Sequence, residues 1–253
     1  MKIFLKKVYD QFSALLPKES EKKIANDAGQ YWSKSEESKK IQDLSHWRGA
    51  GRWNEGEWQK IGEHHFTLLK RLCTYSNISL ESVRSMLEWG PGGGSNVVRF
   101  SENMSTIYGV DISRSNLDEC SRQLEKINFK KFYPVLIPPE DPDSCLNQIK
   151  EPVDLFLSTA VFQHFPSKEY GIRIMSVAYE LLKPGAVAII QIRYDNSKRH
   201  YHSKKRNYRH NAVTFTSYGL DEFWDICASI KFTPLYIHLE SAINYAYYYL
   251  RKD

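Results

Sequence analysis

With 253 residues, ordinary apolar and aromatic content and a net charge of +5, the chain has room for one large domain, or for one domain with an appendage. The composition excludes collagenous, repetitive and broadly disordered chains, and the longest apolar runs, such as "AVAII", are far too short to span a bilayer. The charge is local: "DNSKRHYHSKKRNYRHN" carries six Lys/Arg from Lys198 to Arg209 with no acid between Asp195 and Asp221, which leaves a near-neutral body with one basic segment.

The first twelve residues, "MKIFLKKVYDQF", hold only a brief apolar stretch broken by lysines and read as no signal peptide. Cys73, Cys120, Cys145 and Cys227 are scattered without a C-x-x-C pair, the pattern of free thiols in a reducing compartment, so the expected location is cytoplasmic. Residues 1–80 read as a mostly helical extension, with helical periodicity in "EESKKIQDL" and "WQKIGEHHFTLLKRLC". Between them "SHWRGAGRWNEGEW" reads as a loop with several large side chains to bury.

From residue 81 to 253 strands and helices alternate. "VRSMLEW" is the first strand, followed by a glycine turn and a helix from about Ser95. "STIYGVDI", "KFYPVLI", "PVDLFLSTAV" and "AVAIIQIRY" follow as strands, with helices over "RSNLDECSRQLEKIN" and "KEYGIRIMSVAYELL", the second ended by "KPG". After the basic segment come a helix, "SYGLDEFWDICASI", and a hairpin of "FTPLYIHLE" and "AINYAYYYLR". Near-continuous apolar strands separated by helices indicate a parallel sheet covered on both faces.

The glycine turn "LEWGPGGGS" raises a question of charge. Turns of this kind often cradle phosphates, yet Glu88 stands at its entrance. The dinucleotide fingerprint G-x-G-x-x-G/A would use Gly90, Gly92 and Ser95 and fails at its third position. The pattern E-x-G-x-G-x-G is met at every position by Glu88, Gly90, Gly92 and Gly94. A carboxylate before such a turn suits a positively charged ligand. A second acid, Asp111 in "YGVDIS", ends the second strand, where an acid can accept both hydroxyls of a ribose.

Over roughly Leu80 to Asp253 the chain resembles the class I S-adenosylmethionine (SAM)-dependent methyltransferases, through "LEWGPGGG", "YGVDIS", "VDLFLSTAVFQHF", "LLKPGAVAIIQIR" and the terminal hairpin. The resemblance implies an α/β, Rossmann-like, doubly wound sheet of strand order 3-2-1-4-5-7-6 with strand seven antiparallel. It implies SAM across the carboxyl ends of strands one, two and four, contacted by Glu88, Gly90, Gly92, Gly94, Asp111, Ile112 and Thr159. An adenine-contacting acid is expected after strand three, where "IPPEDPD" offers Glu140 and Asp141 without a choice between them.

His164 in "VFQHF" stands where this fold presents side chains to the methyl group, as base, orienting group or packing. Asp195 is a second candidate base. Gln163, Arg193, Tyr194 and Trp53 are candidate acceptor contacts, and Trp47, Arg48, Trp53 and Trp58 are candidate lid residues or core packing of the extension. His64 and His65 are adjacent on a helix, so they point to different faces, one solvated and one packed. No H-E-x-x-H spacing appears, and no metal is expected. The basic segment reads as an acceptor-binding element for an anionic partner, or as a solvated loop.

The function expected is methylation of a hydroxyl on a sugar or polysaccharide, an anionic glycan among the candidates. The alternatives are an RNA ribose, a small molecule or lipid, or a SAM-binding partner subunit without catalysis. The [DN]-P-P-[FYW] motif of exocyclic-amine methylation is missing after strand four, where the chain reads "STAVFQHF".

Overall fold

Apolar runs with turn residues at both ends set the sheet. In the computed structural model, which describes residues 17–253, seven strands form: β1 (Ser85–Trp89), β2 (Thr106–Asp111), β3 (Phe132–Leu136), β4 (Val153–Ser158), β5 (Leu182–Arg193), β6 (Phe232–Glu240) and β7 (Tyr245–Lys252). The reading of "MKIFLKKVYDQF" lies outside these residues. The strand order is β3-β2-β1-β4-β5-β7-β6, with β1 to β5 parallel and β7 antiparallel to both neighbours, as the resemblance implied.

Helices cover both faces. They are α1 (Glu21–Trp32), α2 (Lys39–Leu44), α3 (Glu55–Ser76), α4 (Ser95–Phe100), α5 (Arg114–Lys126), α6 (Lys168–Leu181), α7 (Tyr208–Asn211) and α8 (Leu220–Ser229). Their starts follow local capping chemistry: Asn54, Ser113 and Ser167 each accept a backbone N–H from the first turn of α3, α5 and α6. One core packs α6 and α8 against the sheet; the other packs α3, α4 and α5 against its opposite face. Phe66, Leu69 and Leu72 of α3 share that second core with Met86 and Leu155, so α3 is built into the sheet's packing.

Two local expectations are corrected. "KPG" does not separate helix from strand: β5 starts at Leu182, and Lys183–Gly185 form an irregularity in its pairing with β4, with Gly185 at φ +77°. The chain needs that left-handed residue to bulge and rejoin the ladder at Val187. The basic segment is not simply a solvated loop either. Tyr208, Ala212 and Phe215 are buried in a third core with Ile24, Ala28 and Trp32 of α1. The backbone N–H of Asn207 and the guanidinium of Arg206 both reach Glu19, just before α1.

Candidate functional site

Three strand ends converge on one cavity. β1 delivers Glu88, β2 delivers Asp111, and β4 runs on into Thr159. This is the crevice outside the carboxyl ends of a parallel sheet, where its connections reverse direction.

Glu88 is 1 % exposed. Its Oε1 accepts from Asn96 Nδ2 at 2.6 Å, and its Oε2 has no partner. Burial pushes its pKa up to about 8, against the opposing hydrogen bond from Asn96. Asp111 Oδ1 accepts the Ser113 N–H at 2.8 Å and Oδ2 accepts Asn116 Nδ2 at 3.3 Å. Burial pushes its pKa to about 6. A buried carboxyl oxygen without a donor is costly unless a ligand supplies one. A ligand bearing an ammonium group fits Glu88, and paired hydroxyls fit Asp111.

The turn between β1 and α4 needs its glycines for two reasons. Gly90, Gly92 and Gly94 all have left-handed φ, at +74°, +53° and +84°. The second reason was not visible in the motif. Residues 45 and 46 lie directly on the turn, as a strap. Gly93 N–H donates to the Ser45 carbonyl at 2.6 Å. A Cβ on Gly92 would sit 2.5 Å from that same carbonyl oxygen, and one on Gly93 would overlap the His46 carbonyl. In this protein these two glycines admit the chain's own backbone. Gly94 lies outside the cavity lining, and its missing Cβ leaves room for Cys120 of α5.

Three indole groups fix the strap. Trp58 Nε1 donates to the His46 carbonyl at 2.9 Å, Trp53 Nε1 to the Asp43 carbonyl at 2.6 Å, and Trp47 Nε1 to Asn116 Oδ1 at 2.9 Å. The Arg48 guanidinium lies 5.6 Å from the Trp58 ring centre. None of these four side chains lines the cavity, so the expected acceptor contact by Trp53 is replaced by a bracing role.

The far end of the cavity is aromatic. Trp32, Tyr170 and Tyr208 line it together with His164. Trp32 Nε1 donates to the Tyr208 hydroxyl at 2.9 Å, and that hydroxyl donates to the His164 carbonyl at 2.7 Å. The His164 ring packs edge-on to Trp32, with centres 4.8 Å apart. Its Nδ1 lies 2.6 Å from the Ala212 carbonyl, which can only accept, so Nδ1 carries the proton and Nε2 is the acceptor. Burial lowers the pKa of His164 to about 4, which keeps it neutral at pH 7.

Glu88, Gly90, Gly92, Asp111, Ile112, Thr159 and His164 are thus brought together around one space. Other expected residues are not. Glu140 and Asp141 have exposed side chains, and the turn presents Pro139 to the cavity instead, because its double proline carries the acids past the opening. Asp195 accepts from His202 Nδ1 at 2.7 Å and from the Ser197 N–H at 2.8 Å, outside the lining. Partial burial pushes its carboxyl up, but these bonds outweigh it and hold the pKa below the usual range.

Gln163 is buried beside His164, with Nε2 at 3.4 Å from the imidazole Nε2, but does not line the cavity. Arg193 and Tyr194 lie behind it: Arg193 donates to the Tyr245 hydroxyl at 3.2 Å, and Tyr194 pairs with Tyr218. Sequence reasoning missed Asn96, Ser45, His46, Trp32, Asn116 and Tyr208. Only Asn96 had a local signal, as a polar residue on the first turn of the helix that follows the glycines. Among the described residues no cluster of three His, Cys, Asp or Glu could hold a metal ion, and no helix is long and apolar enough to cross a membrane.

Residues 87–188 match the family model described as a methyltransferase domain. No curated protein matches the chain. Among solved structures, the N-methyltransferase NodS from Bradyrhizobium japonicum WM9, in complex with S-adenosyl-L-homocysteine (SAH), is similar at a TM-score of 0.58 and 13 % identity, covering 84 % of this chain and 97 % of that one. A SAM-dependent methyltransferase from Clostridium acetobutylicum ATCC 824 is similar at 0.58 and 13 %, covering 79 % and 92 %. One from Aquifex aeolicus is similar at 0.52 and 14 %, covering 74 % and 88 %.

The sheet order is that of the Rossmann-like methyltransferase fold, and the segment matched to a methyltransferase domain carries both acids at its carboxyl edge. The matched domain makes the protein an enzyme of methyl transfer.

Proposed function

We propose that this enzyme methylates a hydroxyl on a sugar or polysaccharide, with His164 receiving the proton. The observation that carries the reading is the fixed tautomer of His164. Its Nδ1–H is committed to the Ala212 carbonyl, so the neutral Nε2 is the acceptor on a residue that lines the aromatic end of the cavity, met by the long 3.4 Å contact from the Gln163 amide. Bound across the strand ends, SAM supplies a methyl group on a cationic sulfur. Glu88 then pairs with the ammonium group of its methionine end, and Asp111 accepts its ribose hydroxyls.

An imidazole of pKa about 4 cannot deprotonate an alcohol in advance. It does not need to. As the new carbon–oxygen bond develops, the hydroxyl becomes a far stronger acid than imidazolium, and the proton passes late to Nε2. Trp32, Tyr170 and Tyr208 suit a ring that presents a C–H face, as a pyranose does. No lysine or arginine lines the cavity, so any negative charge on the glycan lies outside it, toward the basic segment. Within the extension up to residue 80, α1 and the strap act in this reading as a lid on the methyltransferase domain of residues 81–253, forming the roof and excluding water, while α3 belongs to the packing of the sheet.

Two measurements test the reading. Methyl-labelled SAM with a host extract, separated into glycan, lipid, RNA, protein and small molecules, should place label in the glycan fraction; label in RNA would transfer the acceptor to ribose. His164→Ala should lower kcat/KM by about 10²-fold or more with SAH affinity nearly unchanged. Unchanged turnover in that variant would remove His164 from the chemistry.

A further inference from the structure

One polar network beside the cavity takes no part in the proton transfer. α3 crosses α4 closely at Gly62, where an added Cβ would lie 2.6 Å from the Ser95 carbonyl oxygen. Ser95 Oγ accepts from the Gly62 N–H at 3.0 Å and donates to the Trp58 carbonyl at 2.6 Å, which locks the crossing. One turn further along α3, on the same face, His65 is buried against α4. Its Nδ1 stands 2.8 Å from Asn96 Oδ1.

The donors and acceptors of this network can be assigned by elimination. Asn96 Nδ2 reaches Glu88 Oε1 at 2.6 Å and Thr159 Oγ1 at 3.1 Å. In the ionised form that would pair with an ammonium ligand, the Glu88 carboxylate only accepts, so in that state this atom is the amide nitrogen and the opposite atom is the oxygen. An amide oxygen only accepts, so His65 Nδ1 carries the proton and donates. The result is a directed chain, His65 to Asn96 to Glu88 and Thr159. It fixes the amide orientation and leaves Glu88 Oε2 unpartnered in a residue that lines the cavity.

We infer that His65 is a positioning residue for the cofactor: acting through Asn96, it holds the Glu88 carboxyl so that Oε2 meets the ammonium end of SAM. This rests on the proposed pairing of Glu88 with that ammonium group. It also places a determinant of cofactor affinity in a helix that precedes the matched segment of residues 87–188. Without the His65 donor, the Asn96 amide is free to turn over and present its oxygen to Glu88, where it would repel the carboxylate instead of orienting it.

The test uses two ligands and two variants of the full chain. SAH carries the ammonium group; 5′-methylthioadenosine keeps the nucleoside and the sulfur but lacks the amino acid. His65→Leu removes the donor, whereas His65→Asn offers an amide donor near the position of Nδ1. Calorimetric titration should show His65→Leu weakening SAH about tenfold while methylthioadenosine changes less than about twofold, with His65→Asn restoring SAH to within about threefold of the unaltered protein. A merely structural role would weaken both ligands together and would not be rescued by Asn. Equal losses for the two ligands, or SAH affinity unchanged in His65→Leu, would overturn the inference while leaving the cofactor reading intact. Failure of the unaltered protein to bind SAH would overturn both.

Discussion

Glu88→Gln separates what the site costs from what it does. In the unfolded chain the carboxyl titrates near 4.5, and in the folded protein burial moves it to about 8. A folded pKa above the unfolded one means that the native state holds a proton that the unfolded state releases. Its contribution is therefore complete below pH 4.5 and is lost as pH rises toward 8. Three histidines act in the opposite sense. Burial lowers His46 and His164 to about 4 and His65 to about 3. Their full contribution is present only well above pH 6.5, and each returns about 0.4 kcal/mol as pH rises from about 6.5 to about 8.

From pH 6.5 to 8 Glu88 alone removes roughly 1.6 kcal/mol and the three histidines together return about 1.2 kcal/mol, at about 1.36 kcal/mol per pH unit for a full proton difference. The Glu88 contribution is therefore read as the difference in slope between the unaltered protein and the variant, roughly 3–6 °C in Tm for a chain of this size. The substituted glutamine keeps an oxygen for Asn96 and has no charge to bury, so the variant should lose that contribution. Thermal scans without ligand at pH 6.5 and 8 should show the unaltered protein nearly level and Glu88→Gln gaining stability, so that the two slopes diverge. SAH titration should show the same variant binding at least tenfold more weakly. Parallel pH slopes in the two proteins would refute the reasoning, because they would mean that Glu88 is not the buried acid that resists ionisation.

Three further outcomes follow from the geometry. Gly93→Ala places a methyl group on the backbone at His46 and Trp47, so the strap must lift; stability should fall by about 1–3 kcal/mol in denaturant titration, with weaker SAH binding and faster proteolysis at residues 45–54. Asp195→Asn should leave kcat and both KM values within about twofold, since Asp195 lies outside the cavity in bonds to His202 and Ser197; a loss beyond tenfold would return it to the chemistry. Because His164 is neutral down to a pKa of about 4, the acid limb of kcat at saturating SAM should fall below pH 5 and not near 6.5; a limb centred on 6.5 would identify a different titrating group.

The sheet was legible because its signals are local. β4 and β5 are apolar on both faces, and the residues that end β1 and β2 are acids beside glycine and serine, a contrast visible within a few positions. One half of the cavity shares that property: Glu88, Gly90, Gly92 and Asp111 each lie at or just beyond a strand end. The other half does not. Trp32 meets Tyr208 across 176 positions of sequence, and Ser45 meets Gly93, with no periodicity linking either pair. Glu140 and Asp141 show the reverse error. Their spacing after β3 was suitable, but Pro138 and Pro139 fix the path of the chain and turn both side chains to solvent.

The roof has a consequence for the order in which the molecule is made. α1 leaves the ribosome early, with its apolar face directed at residues that do not yet exist. Tyr208, which receives the Trp32 indole, is synthesised 176 residues later, roughly 10–35 s at ordinary elongation rates. Throughout that interval Ile24, Ala28 and Trp32 lack Tyr208, Ala212 and Phe215, which pack with them in the finished protein. The sheet up to β5 can form meanwhile, because its strands arrive in sequence. The cavity closes only after the basic segment has emerged and docked, so a nascent chain stopped before Tyr208 would carry the cofactor-facing acids in an open trough, without the wall of the acceptor pocket.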